Sequence, residues 1–296
     1  MLVDETRILA IVLAITGAVF LSVGAQFQND AVAGAQGGPI KKGGLNLKQL
    51  VGLLARPRWL IGTIFLGLAI VFQLGALSLA PLIVVQPIGA IALIITSVLN
   101  AKIYRIRLTA QTLLSIGLTI VGVGSFVIFA AGSAIETRMS DEKLLQVVGI
   151  LIGLLAVFGM LFYLSKGNVG PLNYIFGAGV IYGFVASLAK VVLVRIQQGD
   201  YNWLTLLAII ALIAATVLGG WFVQNAYASG PPDLVIAGLT VVDPAVAIAI
   251  AIVILGEASE AGLVQILGFI GSGMVAAVGV LLLARVHPQL SNPEGQ

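Results

Sequence analysis

Nine apolar runs, each long enough to cross a lipid bilayer, constrain this chain more than any other feature of its sequence. A transmembrane α-helix needs about 20 mostly apolar residues. The runs lie at 8–28, 59–79, 81–99, 110–131, 144–164, 173–194, 203–226, 234–255 and 262–284. Because they are apolar on all sides, they do not fit a membrane β-barrel, whose strands of about 10 residues alternate polar and apolar side chains. We therefore predict an all-α polytopic membrane protein with about nine transmembrane helices.

The composition agrees with this class and excludes several functions. Charged residues make up 9% of the chain, against roughly 25% in a soluble domain, so there is too little charge to cover a water-facing surface. The chain has no cysteine, which excludes disulfides and thiol chemistry. The sequence also shows no Ser-His-Asp grouping, no metal-ligand cluster and no nucleotide-binding motif. We therefore expect neither an enzyme nor a resident cofactor.

The distribution of basic residues predicts the orientation. Lys and Arg are in excess on the cytoplasmic side of membrane proteins. Ten of the fifteen lie on one predicted side, mainly in segments 29–58 and 100–109, and four lie on the other. This places the N-terminus outside and the C-terminus in the cytoplasm, in a plasma (inner) membrane. It also explains the net charge of +3 without nucleic acid as a partner. Within the long loop, residues 45–55 lie on the inner leaflet or form a plain connector.

Two segments of the chain read almost alike. They are "LIVVQPIGAIALI" at 82–94 and "LTVVDPAVAIAIA" at 239–251, and eight of nineteen positions are identical over 82–100 and 239–257. In the predicted topology the two segments cross the membrane in opposite directions. Inverted repeats of this kind recur in transporters, with the substrate site near the midplane between them. The predicted division is a first repeat at 1–131, a connecting loop and fifth helix at 132–164, and a second repeat at 165–296.

The residues of these repeats resemble a known superfamily. "DPAVAIAIAIVILGEASEAGLVQILGFIGSGMV" at 243–275 is similar to the EamA pattern of drug/metabolite transporters, in which a proline-bearing helix is followed by L-G-E and Q-x-x-G. "LSLAPLIVVQPIGAI" at 77–91 and "SLAKVV" at 187–192 are more like the NIPA branch, whose members are described as magnesium transporters. The resemblance covers essentially the whole chain, and it implies a membrane transporter.

The chain departs from the NIPA pattern where magnesium would be concerned. Two positions that are acidic in that branch are Ile70 and Ile106 here, and "QND" at 28–30 replaces a basic cluster. Because Mg²⁺ binds through carboxylates and retained waters, these departures favour another cargo. No metal site is predicted, and if the cargo is a cation, Asp243 is the candidate ligand.

Two ionisable residues, Asp243 and Lys190, lie well inside the predicted spans. Asp243 is tenth in its helix, about 14 Å from the inner end and close to the middle of a ~30 Å core. An acid at that depth costs about 2.5–3.5 kcal/mol and usually marks a substrate or ion path. Two alternatives remain: a structural ion pair of Asp243 with Lys190, or a Lys190 that extends to the interface. If the two do pair, a coupling proton would switch Asp243 between bonded and free states.

Further pathway candidates lie beside the prolines of the two segments. Pro87 and Pro244 each remove a helical hydrogen bond, and we expect kinks at matching depth, with Gln86 and Asp243 forming one polar region. Ordinary packing kinks are the alternative. We expect Gln86 to orient a solute and Asp243 to bind its charge. The polar residues that end the preceding helices are also candidates: Gln73, Gln224 and Asn225.

Other residues have plainer interpretations. Glu257 ends its helix, so its position predicts a side chain that faces water, and the superfamily pattern alone draws notice to it. The glycine pairs Gly117/Gly122 and Gly268/Gly271 are read as close-packing positions.

We expect a secondary transporter that moves a small organic solute by alternating access. A lipid-linked sugar carrier is a variant of this function. The alternatives are a magnesium or divalent-cation transporter and a non-transporting membrane partner. The expected partners are the solute or ion and the lipid bilayer, and a homodimer is possible.

Overall fold

The computed structural model describes residues 5–36, 56–103, 108–164, 170–229 and 232–285 of the 296-residue chain. The secondary structure within these ranges is helical. The helices are α1 (Glu5–Gln36), α2 (Pro57–Leu79), α3 (Leu82–Val85), α4 (Ile91–Ile103), α5 (Ala110–Ser133), α6 (Asp141–Leu164), α7 (Pro171–Gln198), α8 (Trp203–Ser229), α9 (Pro232–Ile250) and α10 (Leu263–Arg285). A 3₁₀-helical turn (Gln86–Ala90) joins α3 to α4, and a π-helical turn (Ala251–Leu255) follows α9.

The prediction of nine transmembrane helices is confirmed. Over the described ranges, nine helices are long and apolar enough to cross a membrane, with α3, the 3₁₀ turn and α4 forming a single span. The chain is therefore a multi-pass integral membrane protein. Helix α1 runs on to Gln36, beyond its predicted end at residue 28. The stretch 45–55, predicted to lie on the inner leaflet or to connect two helices, falls outside the described residues.

Contacts between helix ends define one side of the bundle, which we call the α1 side because α1 begins there. Arg7, in the first turn of α1, donates hydrogen bonds to the carbonyls of Ala131 and Ala134 at the end of α5. Asp141, the first residue of α6, forms an ion pair of 2.7 Å with Arg195 near the end of α7. An odd number of crossings places the start of α1 and the end of α10 on opposite sides. Which side is cytoplasmic stays a prediction.

The helices pair in the same way in both halves of the chain. Helix α1 packs along α2 and also contacts α4, while α7 packs along α8 and also contacts α9. The last helices of the two halves, α5 and α10, pack against each other. This shared pattern is consistent with the predicted repeat, whose inverted orientation stays a prediction.

Helices α5 and α10 approach to backbone contact through glycines. A Cβ added to Gly122 would lie 2.3 Å from the backbone nitrogen of Ala276. In the same way, a Cβ on Gly279 would lie 2.5 Å from the backbone nitrogen of Thr119. Real Cβ atoms do not come this close to backbone, so both positions require glycine. The two halves of the molecule are thus joined at van der Waals distance here.

Of the four glycines predicted to be close-packing positions, two are. Gly122 is a close-packing position, and a Cβ on Gly268 would meet the Phe129 ring at 2.7 Å. Gly117 and Gly271, however, have open space where a Cβ would stand. The reason is helical geometry: residues five apart point about 140° away from each other, and residues three apart about 60°. Gly117 therefore faces away from the contact that Gly122 makes.

The two prolines do not form matching kinks. Pro87 lies in the 3₁₀ turn, whereas Pro244 lies inside α9, which continues as α-helix for six more residues before the π turn. Gln86 is the fifth residue of its span and Asp243 the tenth of Leu234–Leu255. At 1.5 Å per residue these depths are about 6 and 14 Å from the respective helix starts. Counted from the starts of their spans, the two prolines therefore do not stand at matching positions, and a matching depth in the membrane stays a prediction.

The difference in position comes from where each helix starts. Pro81 stands between α2 and α3, so the first segment begins its span at Leu82. The aligned residues of the second segment, Gly238 and Leu239, lie inside α9, which begins at Pro232. Counted from Leu234, where its span begins, the second segment is therefore preceded by about one and a half more helical turns, which place Asp243 further from its helix start than Gln86.

Candidate functional site

Asp243 combines a deep position with an unsatisfied atom. Its side chain is half-buried on α9, and its Oδ1 atom is buried without a hydrogen-bond partner. An unpartnered buried polar atom costs free energy, and more so for a carboxylate. The site is therefore ready to accept a hydrogen bond or a positive charge from a group that enters it.

Small residues on α7 bring that helix close to Asp243. A Cβ on Gly179 would lie 2.6 Å from Val242 and 3.4 Å from the backbone nitrogen of Asp243. Gly183, one turn later, packs in the same way on the following turn of α9. Such small-x-x-x-small spacing lets membrane helices approach closely. Tyr182, between these two glycines, lies within electrostatic range of Asp243, and its ring packs on Gly219 of α8.

The other predicted pathway residues occupy varied surroundings. Gln86 is buried in the 3₁₀ turn, and this turn contacts α9, the helix of Asp243. Gln73 on α2 is half-buried. Near the far end of α8, Gln224 is exposed, while Asn225 donates from Nδ2 to the Trp221 carbonyl of its own helix at 2.8 Å. Their place in a pathway stays a prediction.

Lys190 does not pair with Asp243, which corrects one alternative from the sequence. Its Nζ atom donates to the carbonyls of Leu77 and Ala80, each at 2.8 Å, and to the Glu136 carboxylate at 2.8 and 3.0 Å. The residue is 1% exposed and extends toward the α1 side, where Glu136 lies in the loop after α5. The other alternative, extension to the interface, stays a prediction. The last carbonyls of a helix have no partner within the helix. Lys190 supplies the missing hydrogen-bond donor to the carbonyls at the end of α2.

Glu257 is buried, although its position predicts a side chain in water. It is 2% exposed, and its two oxygens accept hydrogen bonds from the backbone N–H groups of Leu82 and Ile83 at 2.9 and 2.8 Å. These are the first N–H groups of the third span, which likewise lack partners within the helix. The physical reason for the error is that the loop after α9 folds back over the bundle instead of facing solvent.

The ionisation of Glu257 reflects this environment. Burial raises the pKa of its carboxyl group to about 7, although the N–H groups of Ile83 and Leu82 and the nearby Lys190 lower it in part. Glu136 adds a smaller upward contribution to the same pKa. Burial prevails because a carboxylate loses more by leaving water than two neutral donors and one shared cation return.

Lys190 and Glu257 thus hold the same short segment from two directions. We call residues 77–83 the α2–α3 turn, and Lys190, Glu257 and Glu136 together the turn clamp. Lys190 binds the carbonyls that precede Pro81, and Glu257 binds the N–H groups that follow it. Since Pro81 interrupts the helix, both sets of backbone groups need partners from elsewhere. The turn clamp provides them.

Neighbouring contacts hold the turn clamp in place. The backbone N–H of Ile135 donates to the Glu257 carbonyl at 2.9 Å, next to Glu136 in the loop after α5. Thr137 Oγ1 and Lys143 Nζ each donate to the Leu255 carbonyl at 2.7 Å. The loop after α5 and the start of α6 are therefore bonded to the end of the span that carries Asp243.

An apolar layer separates the turn clamp from Gln86. The four residues of α3 are each 0% exposed. Leu82 and Ile83 are also the last residues of the α2–α3 turn, and Val84 and Val85 lead from them to the 3₁₀ turn that carries Gln86. We call α3 the plug, because side chains packed to this degree leave no room for water. Along the chain, the plug therefore connects the backbone that Glu257 holds to the turn that carries Gln86.

A shallow groove of about 640 Å³ on α8 is separate from these groups. Its lining is apolar and consists of Ala214, Val217, Leu218 and Trp221. Val217 and Trp221 are exposed. Since none of the predicted site residues lines the groove, we interpret it as part of the surface that faces lipid.

The comparisons with known proteins give two relatives. The chain is 24% identical over 258 residues to an uncharacterized protein of Corynebacterium glutamicum, and the match covers 86% of each chain. It is 28% identical over 167 residues to the probable magnesium transporter NIPA9 of Arabidopsis thaliana, which covers 52% of this chain and 48% of the plant protein. The chain is similar to a transporter. It matches about half the length of that relative.

No family profile matches the chain, and no solved structure is significantly similar to it. The resemblance to the NIPA branch is therefore supported over about half of the chain, by a relative of low identity. The resemblance to the wider drug/metabolite transporter superfamily stays an expectation.

Proposed function

We propose that this protein is a secondary transporter that moves a small organic solute across the membrane by alternating access. The observation that supports this best is the buried, unpartnered Oδ1 atom of Asp243 in a membrane-spanning helix. Ionisable residues at such depth are expensive and usually mark substrate or ion pathways. The similarity to a probable magnesium transporter agrees with transport as the general function.

The surroundings of Asp243 favour an amphipathic or zwitterionic solute with a cationic or N–H donor group. One carboxylate offers charge for a single positive group. The adjoining walls are apolar, with Val242 and Val246 packed on the glycines of α7. Gln86, on the contacting 3₁₀ turn, supplies an amide that would orient the polar part of the solute. We assign the binding of its positive charge to Asp243.

The test begins without knowledge of the solute. Purified protein is screened by thermal shift against amines, amino acids, other metabolites and divalent cations, and each stabilising compound is then measured in proteoliposomes. We expect Asp243→Asn to reduce solute flux at least tenfold and to abolish the thermal stabilisation. Glu260→Gln is the matched control, because Glu260 is exposed in the loop after α9. Flux that stays equal in Asp243→Asn and Glu260→Gln would refute the role of Asp243.

A magnesium or other divalent-cation transporter is the second candidate, and the match to NIPA9 favours it. The position that is acidic in the NIPA branch is Ile70 here, and Ile70 is 62% exposed on the outer face of α2. An acid at that site would lie on the outer face of α2 in this fold, away from Asp243 on α9, so the departure at Ile70 speaks against this candidate. Saturable Mg²⁺ uptake into proteoliposomes, lost in Asp243→Ala, would establish this candidate over the first.

A protein with no transport activity is the third possibility. It predicts that none of the screened compounds stabilises the protein and that proteoliposomes show no flux above protein-free liposomes.

A further inference from the structure

We propose that Lys190 and Glu257 form a latch that closes the α1 side of the molecule over the α2–α3 turn and that releases when this side opens. The proposal rests on the proposed transport function and adds to it the residues that gate one entrance. Three features of the turn clamp support it. The clamp joins the two halves, it binds the first residues of the plug, and its third member, Glu136, is 47% exposed and brings water to its edge.

The latch connects the two halves of the chain. The α2–α3 turn belongs to the first half, whereas Lys190 lies on α7 and Glu257 follows α9 in the second half. Four backbone groups of the turn find their partners in these two side chains. Alternating access requires one part of a transporter to move against the other around the substrate site. Any separation of the halves on the α1 side must therefore break these four hydrogen bonds.

Other polar contacts on the same side behave differently. Arg195 binds Thr205 at 2.8 Å and Asn202 at 2.9 Å, so it joins α7 to the beginning of α8 within the second half. Arg7 joins α1 to the end of α5. These contacts do not need to change when the halves separate, which makes them part of a fixed frame. The turn clamp differs because it reaches across the halves, as does the hydrogen bond from Gln197 to the Ser78 carbonyl.

The latch binds the first residues of the plug. Glu257 accepts from the N–H groups of Leu82 and Ile83, and the side chains of the plug are fully buried. Pro81 interrupts the helix between α2 and α3. Ala80 still donates to the Ala76 carbonyl at 3.1 Å, so the segment without helical hydrogen bonds to α2 begins at Pro81. Releasing Lys190 and Glu257 would therefore free the segment that blocks access from the α1 side.

The chemistry of the clamp suits a reversible closure. A buried ammonium and a buried carboxylate both lose hydration when the clamp forms, so their net contribution is far smaller than the number of bonds suggests. Glu136, the third member, has a side chain that is 47% exposed and brings water to the edge of the clamp. When the latch opens, water can hydrate both charges and the freed backbone groups. This hydration offsets part of the free energy of the hydrogen bonds that break.

The absence of native cysteine allows a direct test. Val84→Cys places one thiol in the plug, and a membrane-impermeant thiosulfonate reagent reports whether water reaches it from the α1 side. We expect slow labelling when the clamp is intact and at least tenfold faster labelling in the Glu257→Gln and Lys190→Met backgrounds. The Glu260→Gln background is the matched control and should label as slowly as the parent. Equal labelling rates in all four backgrounds would overturn the latch.

A second experiment leaves the clamp residues unchanged, in case their variants fold poorly. Gln197 Nε2 of α7 donates to the Ser78 carbonyl of the turn at 3.0 Å, so the two residues are neighbours across the halves. Joining Ser78→Cys to Gln197→Cys with a short bis-thiosulfonate linker should hold the α1 side closed. We expect solute flux to fall at least tenfold and to return after reduction. Unchanged flux in the linked protein would contradict the proposal.

The two proposals fail in different ways. Labelling of Val84→Cys needs no solute, so faster labelling without flux of any compound would refute the transporter and not the release of the turn. If a solute is transported and the labelling rate of Val84→Cys is the same in all backgrounds, the latch is refuted and the transporter is not.

Discussion

Replacement of Lys190 by Met tests how the α2–α3 turn is stabilised. Met matches the Lys side chain as far as Cε and lacks the ammonium group, so the carbonyls of Leu77 and Ala80 lose their donor. A buried polar group left without a partner costs about 1–3 kcal/mol, so two carbonyls cost about 2–6 kcal/mol. Met offsets part of this because it carries no charge that must leave water. We expect the free energy of unfolding to fall by about 2–4 kcal/mol.

The same reasoning predicts a much smaller effect for Glu136→Gln. The Glu136 side chain is 47% exposed, so water replaces whatever the variant loses, and exposed ion pairs contribute about 0–1 kcal/mol. Once Lys190 is Met, the loss of the carboxylate should matter little. The double variant should therefore lie within about 0.5 kcal/mol of Lys190→Met, since the two residues act on one interaction.

Unfolding by SDS in mixed micelles, followed by circular dichroism, measures all four proteins under the same conditions. The expected order of stability is wild type, Glu136→Gln and then Lys190→Met, with the double variant beside the last. If Glu136→Gln costs as much as Lys190→Met, the ion pair is the main interaction and the argument from backbone carbonyls is wrong.

Three further predictions follow from the described contacts. Because burial raises the pKa of Glu257 to about 7, the folded state keeps its proton after the unfolded state has lost it. The free energy of unfolding should therefore fall by up to about 3 kcal/mol as pH rises from about 4.5 to 7. Thermal unfolding scans should show this slope in the wild type and not in Glu257→Gln. Equal slopes in both proteins would exclude Glu257 as its source. Gly122→Ala should destabilise the protein by about 1–3 kcal/mol because its Cβ would meet Ala276, whereas Gly124→Ala, which faces open space, should not. Chemical unfolding measures both variants, and an equal loss of stability in the two would contradict the close approach of α5 and α10. Asp243→Leu should raise the apparent unfolding temperature of the solute-free protein and abolish transport, since it removes an unpartnered buried atom. A lower unfolding temperature would indicate that Asp243 has a structural partner.

The membrane spans could be predicted from the sequence because hydropathy over about 20 residues measures the property that lipid selects. The helix ends were less certain, and α1 shows why. Its residues 29–36 are polar enough to suggest a loop, yet they continue the helix to Gln36. Polarity marks where a chain leaves the hydrocarbon region, and a helix does not have to stop there.

The partners of Lys190 and Glu257 could not be predicted in this way. Depth along a helix shows how far a residue lies from the membrane surface, and it does not show which loop or turn covers it. The observation that pointed to the clamp was present nonetheless: Pro81 ends one apolar helix and starts another, which leaves backbone groups at membrane depth without partners. A buried lysine and a glutamate at comparable depth were the available donors and acceptors.

The comparison of Gln86 with Asp243 shows the limit of alignment within one chain. Eight identical positions related the two segments correctly as sequences. The two helices start at different points of the aligned segments, because Pro81 has Gly238 as its counterpart. In this chain, aligned residues of the two segments share side-chain identity at eight positions but do not share their distance from the helix start.

The contact of α5 with α10 also restricts how the two halves can move. Gly122 and Gly279 bring the helices to backbone distance, where sliding by one turn would force Ala276 or Thr119 into positions now occupied by main chain. Sliding of one half along the α5–α10 contact is therefore blocked, while rotation of one half about this contact leaves it intact. We expect the two glycines to mark a pivot. With a fixed pivot between them, widening one side of the bundle narrows the other, so a single rigid rotation would keep both entrances from being open together.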